Sequence, residues 1–436
     1  MIPRRVIILA CAVTLVSAFF SFYIYDHPRV DAKAYDKIGW NFAQGRGYVE
    51  EESLAATPRL DDAIIRVGPG YEFFLAGVYS IVGHRYWVVW LLHAVLRGAS
   101  VILIYLIAEM LFASAGVSFL AAIFFGFSPD LIVINSFLLT ETLFIFLIIA
   151  AVYATLLYNA KKYSSTIIFF VGILWALAIL VRPIALLPFF IVFGNLLWYR
   201  TWKNLAILCI APVLLIGSWS TYATYRYGSF ILTTTAGGYD LWVGNNIDAT
   251  GGVEKSPEIQ ALRNTIHSVE LEKISRKKYF EFLFGHPFKF IELQFRKLAM
   301  YIDILRPGGV WFGLYSHKWL LLCVITASLV GTTIFFVFGL AGFVVLIRGR
   351  TDILSRMFLA IALVAPLGVV PIIVETRYRY PFFPFLAISA AFFLTQKSFD
   401  KKLISKILLI LMVFAGYDLW SNWNILIEKL VRILTL

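Results

Sequence analysis

Between Asp31 and Gly70 the chain gathers acidic, basic and aromatic side chains, DAKAYDKIGWNFAQGRGYVEEE followed by TPRLDDAIIRVGPGY, within a sequence that is otherwise almost continuous hydrocarbon. Carboxylates accept protons and pair with cations, while guanidinium groups hold anions. Set directly after the first apolar segment, the stretch reads as an active site facing outward from a membrane. Groups of the same two kinds recur at the ends of later apolar segments: Glu141 in FLLTETLFIF, Arg182 in VRPIAL, and Arg377 and Arg379 in TRYRYP.

The elements that must position these groups follow from composition. With 60% hydrophobic, 17% aromatic and 15% charged residues and a mean hydropathy of +0.82, the chain is an all-α polytopic membrane protein. The net charge of +12 does not point to nucleic acid, because Lys and Arg sit mostly in short clusters between apolar runs. Cys11, Cys209 and Cys323 all lie inside apolar segments, which suggests neither a disulfide framework nor a thiolate zinc site. Residues 1–25 begin MIPRR and run on without an A-x-A-like site before Asp26, so they read as a retained signal anchor.

Apolar segments lie near 6–25, 68–83, 86–112, 115–134, 138–158, 164–181, 183–199, 204–224, 318–347, 353–373, 380–396 and 403–420. Basic clusters at Arg4/Arg5, Lys161/Lys162, Arg200/Lys203, Arg348/Arg350/Arg356 and Lys397/Lys401/Lys402 should all be cytoplasmic. They share one side only if an early segment fails to cross. The segment 68–83 is short, begins GPGYE, and would place Glu72 in lipid at a cost of a few kcal/mol, so it reads as an interfacial or re-entrant helix. The expectation is about eleven spans, twelve or thirteen at the upper end, with the N-terminus cytoplasmic and the tail SNWNILIEKLVRILTL amphipathic at the outer surface. Three regions result: a transmembrane core, 1–225, with the outer loop 26–67 and the helix 68–83; an outer loop or lid, 226–317; and the final spans and tail, 318–436. On this topology the loop 26–67, the turn Asn135–Thr142, the turn at Val181–Arg182 and the turn Glu375–Tyr380 converge on one side beneath the long loop.

Each candidate also admits a plainer role. Asp31 begins what looks like a helix, DAKAYDKI, and its carboxylate suits an N-cap. Asp36, five residues on, falls away from the face of Asp31 and is expected to meet solvent. Asp61 and Asp62 could bind a metal or a sugar, or form a solvated turn. Glu141 opens a span where a bare carboxylate is expensive; it either meets a partner or caps the helix. The arginines could bind one anion or snorkel to headgroups. Asn245 and Asn246 could hydrogen-bond sugar hydroxyls, while a Gly-Asn-Asn turn uses the same side chains for its own backbone. The stretch after GGYDLWVGNNIDATGG reads as one or two amphipathic helices, with 257–283 lying over the membrane surface as a lid. His267, His286 and His317 lack metal-ligand spacing.

Taken together, DAKAYDKIGWNFAQGRGY, RVGPGYEFFLAGVYSIVG, SPDLIVINSFLLTETLF, GILWALAILVRPIAL, YGSFILTTTAGGYDLWVGNNIDATGG and ETRYRYPFFPFL resemble, in order and spacing, the GT-C glycosyltransferases, in particular bacterial relatives of protein O-mannosyltransferases and lipid A aminoarabinose transferases. The chain departs at RVGPGY, where relatives more often carry a Pro-Pro-Gly-Tyr-Pro run. The resemblance implies a GT-C-like fold with juxtamembrane helices in the first outer loop, in a bacterial inner membrane, and an active site on the periplasmic side. It implies inverting transfer of a sugar from a polyprenyl phosphate to a lipid A, glycan or protein acceptor. Membrane lipids are expected partners and nucleic acid is not.

Asp31 and Glu141 take the two acidic positions of that family, Asp31 as general base; Arg66, Arg182, Arg377 and Arg379 become candidates for the donor phosphate. Tyr35, Asp61, Asp62, Tyr71, Asn245, Asn246 and Tyr378 become candidates for sugar or acceptor. No cofactor is expected, and a divalent ion at Asp31 has no support in the sequence. A transporter of a lipid-linked or anionic substrate is the rival class. Against it, the polar candidates cluster at the outer ends of helices, with His93 and Arg97 the exceptions, and no internal repeat is evident.

Overall fold

The computed structural model describes residues 2–24, 27–57, 60–160, 164–305, 318–396, 400–423 and 427. Lys161, Lys162, His317, Lys397 and most of the amphipathic tail lie outside the described residues. Among the described residues there is no strand. In chain order the helices are α1 (Arg4–Ile24), α2 (Asp31–Ala43), α3 (Pro69–Val82), α4 (Tyr86–Phe112), α5 (Ala115–Gly126), α6 (Pro129–Ile134), α7 (Glu141–Ala160), α8 (Ser165–Val181) and α9 (Leu186–Trp198). They continue with α10 (Trp202–Tyr227), α11 (Ala236–Gly244), α12 (Pro257–Thr265), α13 (Ser268–Gly285), α14 (Pro287–Ile302), α15 (Lys318–Gly349), α16 (Ile353–Val364), α17 (Phe383–Leu394) and α18 (Lys401–Ser421).

Six of these, α1, α4, α7, α10, α15 and α18, are long and apolar enough by themselves to cross a membrane. A span needs about 20 residues at roughly 1.5 Å each. Shorter apolar helices, α5, α8, α9 with its leading turn and α16 with its trailing turn, lie among them. The main pairings are α15 with α17, α1 with α4, α10 with α8, α4 with α5, and α7 with α8. One continuous core runs through them, with Val13, Val101, Phe125, Trp175, Phe336 and Phe383 all fully enclosed.

Several elements differ from the sequence expectation. The single span expected over 115–134 is broken between α5 and α6. Pro129 has no N–H to continue the ladder, and Ser128 before it takes extended backbone, φ −60° and ψ 116°. Arg97 of α4 fills the break by donating to the carbonyls of Phe125, at 2.5 Å, and Gly126, at 3.0 Å. A cation there meets the negative end of α5, so a charge within a long apolar helix has a structural use. The helix expected over 257–283 is two helices that part at Ile266 and His267. Ahead of them GGYDLWVG lies in α11, because Tyr239, Trp242 and Val243 fall on one helical face and bury against Ile65 and Ile373.

The segment 68–83 forms α3, only 14 residues long, and Glu72 is enclosed by protein rather than by lipid. The departure RVGPGY has a steric reason. A Cβ on Gly68 would lie 2.4 Å from the Leu180 carbonyl oxygen, and one on Gly70 would lie 2.7 Å from the Val181 nitrogen. These glycines let the start of α3 touch the end of α8, so the backbone just after Arg66 runs against the residues just before Arg182.

Gly70→Ala should therefore destabilise the protein by about 1–3 kcal/mol through overpacking against backbone, lowering its melting temperature in detergent. Gly77→Ala, on the same helix with nothing within 4 Å of the new methyl, serves as control. Equal melting temperatures for the two variants would contradict this account.

Candidate active site

Asp31 is the first residue of α2 but does not cap it; Val30 holds the cap position and makes no side-chain cap bond. The carboxylate is used elsewhere. Its Oδ2 accepts from Nη2 of Arg377 at 2.6 Å. Arg377 sits in a 3₁₀ turn, Thr376–Phe382, that follows α16 and its irregular extension. Its Nε donates to Oε2 of Glu375 at 2.8 Å and lies 3.8 Å from Oε1 of Glu141. Burial alone would raise the Asp31 carboxyl, yet the Arg377 guanidinium, by charge and hydrogen bond, with Arg66 and Arg182 further off, holds it below the usual carboxylate value.

A second pair adjoins the first. Arg182, just past the C-terminus of α8, donates from Nη2 to Oε1 of Glu141 at 2.6 Å and from Nε to the Thr140 hydroxyl at 2.7 Å. Glu141, at the start of α7, is fully buried, and Arg182 is 5% exposed. Tyr378 lies between the two arginines, its ring centre 5.6 Å from each guanidinium carbon. Three acids and two arginines from four segments remote in sequence thus form one continuous polar cluster.

Arg66 acts on this cluster through its charge, which helps to lower the Asp31 carboxyl. Its guanidinium is engaged by Glu50, at 2.5 Å through Nη2 and 3.0 Å through Nε. The loop that carries both is shaped by Asp61, whose carboxylate accepts the backbone N–H groups of Glu50, Glu51 and Ala63, each at 2.8 Å. Asp62 faces the cover instead, pairing with Arg263 at 2.7 Å and accepting from the Ser268 hydroxyl at 2.8 Å.

The cover is α11 with α12, α13 and α14. Thr234 and Thr235 fix its start by donating to the Ile64 carbonyl, and Thr234 also donates to the Arg66 carbonyl. At its far end Asn245 is buried with its amide fully used: Nδ2 donates to the carbonyls of Leu241, Pro371 and Ile372, and Oδ1 accepts from Gln294 and Lys297. The buried Lys297 amine also donates to the Pro371 carbonyl at 3.0 Å, and burial pushes its pKa down to about 7. Asn246 closes the C-terminus of α11 by donating to the Trp242 carbonyl at 2.9 Å. Both asparagines therefore shape backbone, the alternative that a Gly-Asn-Asn turn raised.

The other candidates separate. Tyr35 packs edge-on against Tyr71 with ring centres 5.7 Å apart. The Tyr71 hydroxyl meets Nε2 of His93 at 3.3 Å, whose Nδ1 faces the Asn135 carbonyl. Arg379, two residues from Arg377, turns away from Asp31 and donates to the Asp303 carbonyl at 2.5 Å. Asp36 does not meet solvent as expected. It is buried and accepts from the hydroxyls of Tyr79, at 2.6 Å, and Tyr86, at 2.9 Å, beside His84 at 2.7 Å, tying α2 to α3 and α4.

Sequence reasoning missed Glu50, Thr140, Glu375 and Asp240. Asp240, on α11, titrates near 7 because burial and the charge of Asp31 raise it, with Lys255 opposing. An acid among apolar residues in YDLWV was the available signal; for Glu375 it was the adjacency to Arg377. Among the described residues no group of three His, Cys, Asp or Glu side chains is arranged to hold a metal ion.

Residues 66–221, which include Glu141 and Arg182, match the model of the dolichyl-phosphate-mannose-protein mannosyltransferase family. No curated protein sequence matches the chain. Among solved structures, the crystal structure of ArnT from Cupriavidus metallidurans bound to undecaprenyl phosphate is similar, with a TM-score of 0.54 and 14% identity. The match covers 95% of this chain and 64% of that one, so this chain spans less than two thirds of that protein's length. The Archaeoglobus fulgidus oligosaccharyltransferase, in complex with Zn and sulfate, aligns at 14% identity over 94% of this chain and 51% of that one, with a TM-score of 0.49. The chain has the GT-C fold that the sequence resemblance implied.

Because Glu141 and Arg182 are buried together, removing one strips the other of its closest counter-charge. Arg182→Met or Glu141→Gln alone should cost on the order of 3–5 kcal/mol, and the double variant should recover part of that loss. Thermal unfolding in detergent reads the difference. Additive losses in the double variant would show that the two side chains do not act as a pair.

Proposed function

We propose that this GT-C protein is a membrane glycosyltransferase that moves one sugar from a polyprenyl phosphate to a hydroxyl or amine of an envelope acceptor, at the extracytoplasmic face and with inversion. The observation that carries this reading is the ion-pair cluster joining Asp31, Arg377, Glu375, Glu141 and Arg182. A carboxylate and fork-shaped cations within one cluster meet the two needs of the reaction: a group to take the acceptor proton, and donors for two oxygens of a departing phosphate. The family match over residues 66–221 and the likeness to a protein bound to undecaprenyl phosphate favour this substrate class.

In the proposed reaction the acceptor oxygen or nitrogen attacks the anomeric carbon while its proton passes to Asp31. The bond from that carbon to the phosphate oxygen breaks on the opposite face, and the prenyl phosphate leaves with the electron pair. One displacement inverts the configuration. Arg377 and Arg182, with Arg66 at the border, stabilise the charge that develops on the leaving oxygen. Glu141 keeps Arg182 in place. Tyr378, held between the arginines, faces the sugar or acceptor.

A transporter reading would lean on His93 and Arg97, the polar groups set deep in α4. Both are engaged in holding backbone carbonyls, which supports the enzyme instead.

Asp31→Asn should lower release of free prenyl phosphate from an undecaprenyl-phosphate sugar, in purified protein supplied with envelope extract, by about 10²- to 10⁴-fold. The variant should still be folded and extractable. Undiminished release would remove Asp31 from the role of base.

A further inference from the structure

The arginines gathered at the site are already engaged by acids of the chain. Arg66 is held by Glu50, Arg182 by Glu141, and Arg377 by both Glu375 and Asp31. An arriving phosphodiester must compete for its donors. Arg377 is where that competition touches the chemistry, because one end of its guanidinium rests on the proposed base. Nη2 lies 2.6 Å from Asp31 Oδ2, while Nε is anchored at 2.8 Å by Glu375 Oε2. A carboxylate oxygen occupied by a guanidinium at that distance is both blocked and weakened as a proton acceptor. The side chains of Asp31 and Glu375 keep about a third of their surface exposed, while that of Arg377 keeps 12%. The pair is therefore open to a ligand from the side of the acids.

We propose that Arg377 is a switch shared between Asp31 and the donor phosphate: the phosphate takes Nη2, Asp31 is released to receive the acceptor proton, and Glu375 keeps Nε tethered throughout. This rests on the reading of the cluster as a prenyl-phosphate site. Glu375 becomes a positioning residue, since it lets the guanidinium exchange one partner without leaving the site. The two other arginines whose charge acts on Asp31 do not restore the block. Arg66 and Arg182 keep their own acids, Glu50 and Glu141. Tyr35 on the same helix and Asp240 on α11 add no positive charge, and Lys255 lies over the Tyr239 ring. Once Arg377 turns to the phosphate, Asp31 loses its nearest cation and gains an anion nearby, and both changes strengthen it as a base. A base uncovered only by the donor would not act on the acceptor before the donor is in place.

The probe is a prenyl methyl phosphodiester, which carries one negative charge throughout the working pH range, bound to purified full-length protein in nanodiscs. Removing the competing carboxylate should help the anion, so Asp31→Asn should bind the probe roughly tenfold more tightly than the unmodified protein. Arg377→Gln should bind it at least roughly tenfold more weakly. If Arg377→Gln binds unchanged, the phosphate reading of the cluster fails and the switch with it. If Arg377→Gln weakens binding but Asp31→Asn does not tighten it, the switch alone is refuted. A second measurement needs no variant. The acid limb of kcat, set by the donor-bound enzyme, should lie at higher pH than the acid limb of kcat/KM, set by the free enzyme. Coincident limbs would overturn the proposal.

Discussion

An ionised group at the edge of an apolar helical bundle must find an opposite charge, and that constraint organises this protein. Glu141 is fully enclosed at the start of α7, and a buried carboxylate stays charged at low cost only with a cation or several hydrogen-bond donors against it. Arg182, delivered by the end of α8, supplies one at 2.6 Å. Arg377 is pulled in by the same logic, with Glu375, Asp31 and Glu141 around it. Charge neutralisation draws together α2, α7, α8 and the 3₁₀ turn ahead of α17, and the resulting cluster is the candidate chemical centre.

Around that centre the structure consists largely of devices for holding backbone. Asp61 folds the loop that carries Glu50 and Arg66. Thr234 and Thr235 attach the cover to the same loop. Asn245 and Lys297 grip the carbonyls of Pro371 and Ile372, a few residues before Arg377. The satellite core of Ile65, Trp242, Val243 and Ile373 reinforces the attachment, so the position of two site arginines depends on the packing of α11. Buried polar side chains here serve mostly to satisfy backbone groups that irregular segments leave unpaired.

Close approach of helices sets the remaining geometry. Gly68 and Gly70 permit contact between the start of α3 and the end of α8. The α5–α6 break, capped by Arg97, lets the chain run on to Thr140, whose hydroxyl accepts from Arg182. Each device removes a steric or electrostatic obstacle to a particular backbone path.

The sequence by itself determined the helical membrane class, the order of the elements, and the fact that acids and arginines from segments far apart would meet, because hydropathy and charge are local properties that survive without coordinates. It also contained the GT-C fold, spread over six short stretches. Tertiary structure alone decided which groups meet which. Asp36 reads as solvent-facing because it falls away from the helical face of Asp31, and Asp61 as a ligand or a solvated turn, yet their partners, Tyr79, Tyr86 and the N–H groups of Glu50 and Glu51, arrive from other turns of the chain. Arg377 and Arg379 are two residues apart and indistinguishable in TRYRYP, but the tight turn sends one to Asp31 and the other to the Asp303 carbonyl. Side-chain direction in an irregular segment follows from what packs on either side of it, and no residue type or spacing encodes that.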